Sequence, residues 1–327
     1  MKIWLNELLR SIFGEGLYNT LTSKLDYSRS LSKYYFNRES QDLVSPYVIF
    51  MADGKTTHGG LADRLRGMVS LYHFSKLEDL DFRAYFVSPF NLSDYLQPNM
   101  YNWEIGENEI SYDSTNSQAV IVKNNRKDNL KYVKKRLGKD VGKRQLHVYT
   151  NILIKGFDFH SAFFELFKPS VPLQNELEYH KKQIGNRYVS VTYRFQQLLG
   201  DFKEGHYKIL PEREREQLII KCLNFIKDIR EQYDERYKIL VTSDSDTFLQ
   251  EAKAKFAFVY TIPGKVFHID YTNENGRLVY MKSFIDLFML SRAECLFNYA
   301  TGDMYKESGF PALAALIGNK PFKRVIE

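Results

Sequence analysis

The chain has 327 residues, which is long enough for two domains with apolar cores. Its content of 44% hydrophobic and 15% aromatic residues is higher than expected of a disordered protein. Its net charge of +6 favours an anionic partner such as a nucleotide or an anionic surface. Cys222 and Cys295 lie in apolar helical patterns and predict reduced thiols in a cytoplasmic protein. No apolar run approaches the ~18–20 residues of a transmembrane helix.

In chain order, the first half predicts alternating strands and helices. Strands are predicted at 47–51, 82–87, 119–122 and 145–150, and a helix at 59–76. Loops and short helices are predicted at 88–118, and an interrupted helical region at 157–183. The second half predicts strands at 188–193, 238–242, 257–260 and 295–298 and helices at 212–234, 248–255, 284–293 and 311–317. This alternation indicates an α/β protein with parallel sheets covered on both faces, in two domains at 1–180 and 181–327.

Two further segments bear on partners. Residues 1–13 predict an amphipathic helix that packs on its own domain, with peripheral association with a membrane, such as an inner membrane, as the alternative. Much of the positive charge lies at 123–143, where we expect a solvated face, with a non-catalytic polyanion- or glycan-binding module as the alternative. No zinc-finger, RNP or basic-zipper motif accompanies this charge, so nucleic acid is not an expected partner.

A glycine turn separates the first predicted strand from the first helix. It contains Gly59 and Gly60, followed by Asp63 and Arg64. Glycine lets the backbone approach a ligand closely, and a helix N-terminus offers N–H groups to an anion. The spacing fits neither a P-loop, which would need glycine at Ile49, nor a dinucleotide-binding fingerprint. An ordinary strand–helix connection is the alternative.

Polar residues follow the strands of the second half in three groups. These are Arg194; Ser243, Asp244 and Ser245; and Ser308, Gly309 and Phe310. A guanidinium can form bidentate bonds to a diphosphate, hydroxyls and carboxylates can bind a ribose or a base edge, and a glycine turn into a helix suits an anion. Because ligands bind at the carboxyl ends of parallel strands, the recurrence favours a binding site over simple helix capping.

In their order and spacing these motifs resemble the GT-B fucosyltransferase superfamily, which includes α1,6-, α1,2- and protein O-fucosyltransferases and bacterial nodulation fucosyltransferases. The matching segments are GGLADR at 59–64, TYR at 192–194, TSDS at 242–245, DLFMLSRA at 286–293 and SGF at 308–310. The family motif at this point is His-x-Arg, and Thr192 stands where the family has histidine. The resemblance covers about residues 45–75 and 186–320.

The resemblance implies two Rossmann-like domains that face each other across a cleft, with 1–180 on the acceptor side and 181–327 binding the nucleotide sugar. It implies inverting, metal-independent transfer of L-fucose from GDP-fucose to a glycan or lipid-linked glycan acceptor in cell-surface polysaccharide synthesis. The donor is then the only small molecule required, and Arg194 holds its diphosphate.

An inverting transfer needs a group that deprotonates the acceptor hydroxyl. Asp201 and Glu204 lie a few residues beyond Arg194, near the position where the α1,6-type enzymes have a glutamate. His58 and Asp63 are alternatives from the other domain. Asp201 and His58 are our first candidates.

A different class of enzyme is suggested by D-x-D spacing at 79–81 and 244–246. Such carboxylate pairs hold a divalent metal against a diphosphate in metal-dependent glycosyltransferases. A metal-dependent enzyme that uses another nucleotide sugar is therefore the alternative.

Overall fold

A computed structural model of the protein describes residue 28 and residues 31–39, 45–123, 129–137, 144–202, 208–266 and 279–327. The predicted helix at 1–13, Glu204 and parts of the basic tract at 123–143 lie outside these residues. In chain order the elements are β1 (Val48–Ala52), α1 (Leu61–Leu77), β2 (Phe82–Phe86), β3 (Leu96–Pro98), β4 (Ser117–Val122), α2 (Asn129–Leu137), β5 (Gln145–Thr150), α3 (Phe159–Leu166), β6 (Phe167–Pro169), α4 (Val171–Ile184), β7 (Tyr188–Tyr193), α5 (Glu212–Glu231), β8 (Lys238–Ser243), α6 (Asp246–Lys255), β9 (Val259–Tyr260), α7 (Met281–Ser291), β10 (Leu296–Ala300), α8 (Gly309–Gly318) and β11 (Phe322–Ile326).

The described residues form two compact units. The first contains the described residues up to Leu92 together with Pro98–Asp158 and Phe164–Phe167. The second contains Ser93–Gln97, Phe159–Phe163 and Lys168–Glu327. The boundary that we placed at residue 180 falls inside α4.

The first unit is built on a parallel four-stranded sheet in the order β2-β1-β5-β4. Every residue of β1 and β5 is buried, which is why these strands read as continuous runs without polar alternation. Helix α1 approaches the end of β5 closely at Gly67, where an added Cβ would meet the Thr150 carbonyl oxygen at 2.5 Å. Glycine permits this contact between helix and sheet.

The second unit is built on a parallel five-stranded sheet in the order β11-β10-β7-β8-β9. Strand β7 lies at its centre, with Tyr193 in register with Ser243 of β8 and Tyr299 of β10. Helix α5 buries Leu218, Cys222 and Ile226, among other residues, in the core on this sheet. The α/β class and the parallel sheets expected from the sequence are confirmed.

Helix α7 contains the DLFMLS segment and is buried from Lys282 to its end at Ser291. Within it, Lys282 Nζ lies 2.8 Å from Asp286 Oδ2, and both side chains are buried. The backbone of α8 approaches α7 at Gly318, where an added Cβ would overlap the Ser291 carbonyl oxygen. The segment matched to the family is therefore part of the core of this unit.

The structure has two short elements that were not predicted, β3 within the region at 88–118 and α2 within the basic tract, and it differs from the predicted elements at two further places. The helical region at 157–183 divides into α3, β6 and α4, because Pro169 ends the short strand and Pro172 lies in the first turn of α4, where proline is tolerated. Strand β11 was not predicted, because Lys323 and Arg324 interrupt its apolar pattern at the edge of the sheet. Within the described ranges, every helix is too short or too polar to cross a bilayer.

Candidate functional site

The carboxyl ends of three neighbouring strands in the second unit carry the predicted binding residues. Arg194 follows β7, Asp244 follows β8, and the loop from Thr301 to Ser308 follows β10. Since the order β10-β7-β8 is continuous and parallel, these residues come to one edge of the sheet. Ligands of open parallel sheets bind at this edge.

Arg194 and Asp244 form the centre of this edge. Arg194 Nη1 lies 3.2 Å from Asp244 Oδ2, with 20% of the arginine side chain exposed but only 1% of the aspartate side chain. The two carboxylate oxygens also accept hydrogen bonds from the backbone N–H groups of Phe195 and Gln196, both at 2.8 Å. Burial raises the pKa of Asp244 to about 6, although the Arg194 charge and these N–H donors oppose the rise.

Arg194 is held by two further contacts. Its guanidinium lies over the Phe202 ring, 4.9 Å from the ring centroid, a cation–π arrangement. Its carbonyl oxygen accepts a hydrogen bond of 3.1 Å from the Tyr305 N–H, which ties the loop after β10 to the end of β7. The arginine is therefore fixed in place while part of it remains open to solvent.

Asp201 and Ser245 cap the start of α6. Asp201 Oδ2 accepts hydrogen bonds from Ser245 Oγ at 2.8 Å and from the Thr247 N–H at 2.9 Å. Ser245 Oγ in turn accepts from the Phe248 N–H at 3.1 Å, the bond of an N-cap. The Ser243 hydroxyl accepts from the Ser245 N–H at 3.0 Å. These side chains shape the edge through bonds to the protein itself.

The half-buried position of Asp201 bears on the proposed role in proton transfer. Its second oxygen, Oδ1, is buried and has no hydrogen-bond partner in the part of the chain that is described. Asp201 therefore combines a capping bond with an acceptor oxygen that could take a proton.

Ser308, Gly309 and Phe310 begin α8. Ser308 is buried and is the N-cap residue, but its side chain makes no capping bond. The N–H groups of the first turn of a helix have no partner within the helix and are suited to an anion. Tyr305 places the preceding loop beside Arg194.

In the first unit, the side chains of the glycine loop brace the loop. Asp63 Oδ2 accepts from the Gly60 N–H at 3.1 Å, while Asp63 Oδ1 lies 2.7 Å from Arg66 Nη2. Arg64 is buried and donates to the carbonyl oxygens of Gly59 and Ser88, both at 3.2 Å. Sequence reasoning offered these charges as ligand contacts, and the geometry gives both of them a structural role in the loop.

The two glycines of this loop differ in their backbone. Gly59 has φ +86°, and an added Cβ would overlap the Asp63 carboxylate. Gly60 has φ −69°, and an added Cβ would find no atom within 4 Å. The turn therefore needs glycine at 59, whereas the backbone at Gly60 has no such requirement.

His58 is fully buried, with an exposed fraction of 0%. Its Nδ1 lies 3.2 Å from the Thr56 carbonyl oxygen, to which it donates as the neutral tautomer. Burial, with a smaller contribution from the Arg64 charge, lowers the pKa of His58 to about 3. A neutral and inaccessible imidazole of this kind is poorly placed to take a proton from an acceptor.

Sequence reasoning missed a polar cluster at the carboxyl end of β1. Asp53, whose side chain is 1% exposed, lies 3.0 Å from Lys33 Nζ and accepts from Tyr149 Oη at 3.1 Å. Beside it, the Tyr34 hydroxyl contacts Nδ1 of the buried His147 at 2.5 Å. The signal was a charged residue directly after a buried strand, the pattern that identified Arg194 and Asp244 in the second half.

The D-x-D segments are placed differently from a metal site. Asp244 is engaged by Arg194 and two backbone N–H groups, and Asp79 and Asp81 are exposed in the turn between α1 and β2. Among the described residues, no three His, Cys, Asp or Glu side chains are grouped so that they could hold a metal ion.

Comparison with known proteins finds similarity at the level of structure. No protein-family model matches the chain, and no curated protein sequence matches it significantly. A structure of NodZ alpha-1,6-fucosyltransferase soaked with GDP-fucose is 11% identical, with a TM-score of 0.54, over 84% of this chain and 92% of NodZ. NodZ co-crystallised with GDP is 12% identical, with a TM-score of 0.55, over 84% of this chain and 93% of NodZ.

A structure of fucosyltransferase NodZ from Bradyrhizobium gives the same picture, with 12% identity and a TM-score of 0.55 over 84% of this chain and 94% of NodZ. At this identity the likeness shows the fold. The chain therefore has the GT-B-type fold of the fucosyltransferases that its motifs resemble.

Proposed function

We propose that the protein is an inverting, metal-independent glycosyltransferase that transfers L-fucose from GDP-fucose to a glycan or lipid-linked glycan acceptor. The observation that carries the proposal is Arg194, which is held at the carboxyl end of β7 by Asp244 and remains 20% exposed. The fold of NodZ, which has been co-crystallised with GDP and soaked with GDP-fucose, supports this donor. The motif resemblance supports cell-surface polysaccharide synthesis as the setting.

In the proposed reaction, the acceptor hydroxyl oxygen attacks C1 of the sugar from the side opposite the diphosphate. The bond between C1 and the β-phosphate oxygen breaks, so GDP leaves with additional negative charge. The Arg194 guanidinium and the N–H groups at the start of α8 would stabilise that charge as it develops. A fixed cation in a partly buried position is more effective than a mobile one because little reorganisation is needed.

The proton of the acceptor hydroxyl passes to a base, and we propose Asp201 for this role. Its Oδ1 has no hydrogen-bond partner in the described part of the chain, and Asp201 is only seven positions beyond Arg194. His58 Nε2 also has no hydrogen-bond partner among the described residues, but His58 is the weaker candidate because its whole side chain is buried and its pKa is lowered to about 3.

A panel of nucleotides tests the choice of donor. If the site takes a GDP-sugar, GDP at 100 times its Kd should raise the free energy of unfolding by about 2.7 kcal/mol, with much smaller effects of UDP and CMP at the same concentration. Preferential stabilisation by UDP would contradict the proposed donor. Release of GDP from GDP-fucose, compared with GDP-mannose, then tests the sugar.

The same assay tests metal independence. We expect EDTA to leave the rate of GDP release unchanged, because Arg194 and backbone N–H groups supply the positive charge that a metal would supply. Loss of activity in EDTA and recovery with Mn²⁺ would instead support the D-x-D alternative at Asp244 and Asp246.

A further inference from the structure

We propose that Asp244 is a positioning residue that orients Arg194 toward the donor diphosphate and does not itself contact the donor. This inference rests on the function proposed above. It changes the role expected for Asp244 from binding a ribose or base edge to holding the residue that binds the diphosphate.

The hydrogen bonds of Asp244 fix the backbone directly after Arg194 as well as the arginine side chain itself. Oδ1 accepts from the Phe195 N–H and Oδ2 from the Gln196 N–H, while Oδ2 also pairs with Arg194 Nη1. Gln196 has φ +57°, a left-handed conformation that residues other than glycine adopt only when their surroundings compensate for it. The carboxylate supplies that compensation because it binds the N–H of the strained residue.

Burial separates the roles of the two partners. Asp244 has a side chain that is 1% exposed, against 20% for Arg194. A ligand at the edge of the sheet can therefore reach the guanidinium without reaching the carboxylate. Both carboxylate oxygens already have partners within the protein, so the arrangement is complete before a donor binds.

The charge of Asp244 should make the binding of the donor depend on pH. Arg194 is the charged side chain that faces it. Other charged side chains near the start of α6 are Asp201, Asp246, Lys265 and Lys282. The buried carboxyl has its pKa raised to about 6, so mild acid removes the negative partner of Arg194. A charge that is kept in spite of its burial is typical of a functional site.

The test measures GDP-fucose binding by calorimetry from pH 5 to pH 8, without acceptor. GDP-fucose is preferable to GDP because its diphosphate has no terminal group that titrates near pH 6. We expect Asp244→Asn to bind at least 10-fold more weakly than wild type at pH 7.5, with little change at lower pH. Wild type and the exposed control Asp234→Asn should both lose affinity below about pH 6. The proposal would be overturned if Asp244→Asn bound GDP-fucose as tightly as wild type at pH 7.5 and lost affinity below about pH 6 to the same extent as wild type.

Amide hydrogen exchange of the wild-type protein keeps the inference testable if Asp244→Asn fails to fold. The Phe195 and Gln196 N–H groups should be protected at pH 7.5 and lose protection, after correction for intrinsic exchange, as Asp244 protonates. Protection that stays constant down to pH 5 would overturn the role of Asp244. If the wild type binds GDP-fucose at no pH, the proposed donor is overturned instead. The exchange experiment would then still test whether Asp244 holds the Phe195 and Gln196 N–H groups.

Discussion

Asp201 Oδ2 accepts a 2.8 Å hydrogen bond from Ser245 Oγ, which joins the loop after β7 to the first turn of α6. The same oxygen accepts from the Thr247 N–H. A carboxylate at a helix N-terminus is also favoured by the helix dipole. Asp201 therefore contributes to the shape of the site whether or not it takes a proton.

A pair of variants separates these two roles of Asp201. Ser245→Ala removes a capping hydroxyl and should lower the free energy of unfolding by about 1 kcal/mol, with a modest effect on turnover. Asp201→Asn also weakens the cap but removes the base as well, so we expect kcat to fall by roughly 100-fold or more. Urea unfolding and GDP release by both variants measure the effects. Equal losses of turnover in the two variants would assign Asp201 to capping alone.

Arg194→Lys tests the contact with the diphosphate. Lysine keeps the positive charge but loses the planar fork that binds two oxygens at once. The loss of charge-assisted hydrogen bonds, worth about 1.5–3 kcal/mol, predicts roughly 10- to 100-fold weaker binding of GDP-fucose. Arg236→Lys is the matched control, since Arg236 is exposed and pairs with Asp234. Wild-type affinity in Arg194→Lys would remove Arg194 from the donor site.

Two buried histidines predict how stability depends on pH in the first unit. Burial lowers the pKa of both His58 and His147 from 6.5 to about 3. A histidine whose pKa is lowered by folding stabilises the protein above its unfolded pKa, and this contribution is lost as the pH falls below 6.5. Between pH 7 and pH 5, the two histidines together should lower the free energy of unfolding by about 4 kcal/mol.

Urea unfolding at the two pH values measures this loss. His58→Asn and His147→Asn should each remove about half of it, because asparagine does not titrate. Asp244 belongs to the second unit, where it has the opposite effect: its pKa is raised from 3.8 to about 6, so its stabilising contribution is lost as the pH rises through that interval. An unfolding free energy in the first unit that does not change between pH 7 and pH 5 would contradict the burial of both histidines.

Local pattern was enough to predict most of the strands of the two larger sheets, including β7 and β8, and the residues at their ends. Arg194 and Asp244 each follow a continuous buried run, and the rule for parallel sheets places such residues at one edge. The pairing of these two side chains could not be predicted, because it depends on a register between strands about 50 positions apart. The same is true of Asp201, whose capping partner Ser245 lies far along the chain.

Burial of polar residues was harder to anticipate. His58 is adjacent to two glycines and seemed accessible in sequence, yet the loop folds so that its exposed fraction is 0%. Asp53 carries the same signal as Arg194, a charge directly after a buried strand, but the pattern does not show what such a charge pairs with. Its partner Tyr149 is 96 positions away.

The glycine loop offers a matched pair of variants. Gly60→Val should leave the free energy of unfolding within about 0.5 kcal/mol of wild type, since Gly60 has φ −69° and an added Cβ meets no atom within 4 Å. Gly59→Ala should cost more than about 1 kcal/mol, because Gly59 has φ +86° and an added Cβ would overlap Asp63. Thermal and urea unfolding of the two variants measure the difference.

Turnover of the same variants then tests whether the loop approaches the donor. If the backbone at Gly60 lies against GDP-fucose, the valine side chain occupies that space, and GDP release should fall at least 10-fold in a protein of unchanged stability. Gly60→Ala adds a single methyl group and should show a smaller loss. A Gly60→Val variant with wild-type turnover would show that the loop does not contact the donor, and its glycines would then serve the strand–helix turn alone.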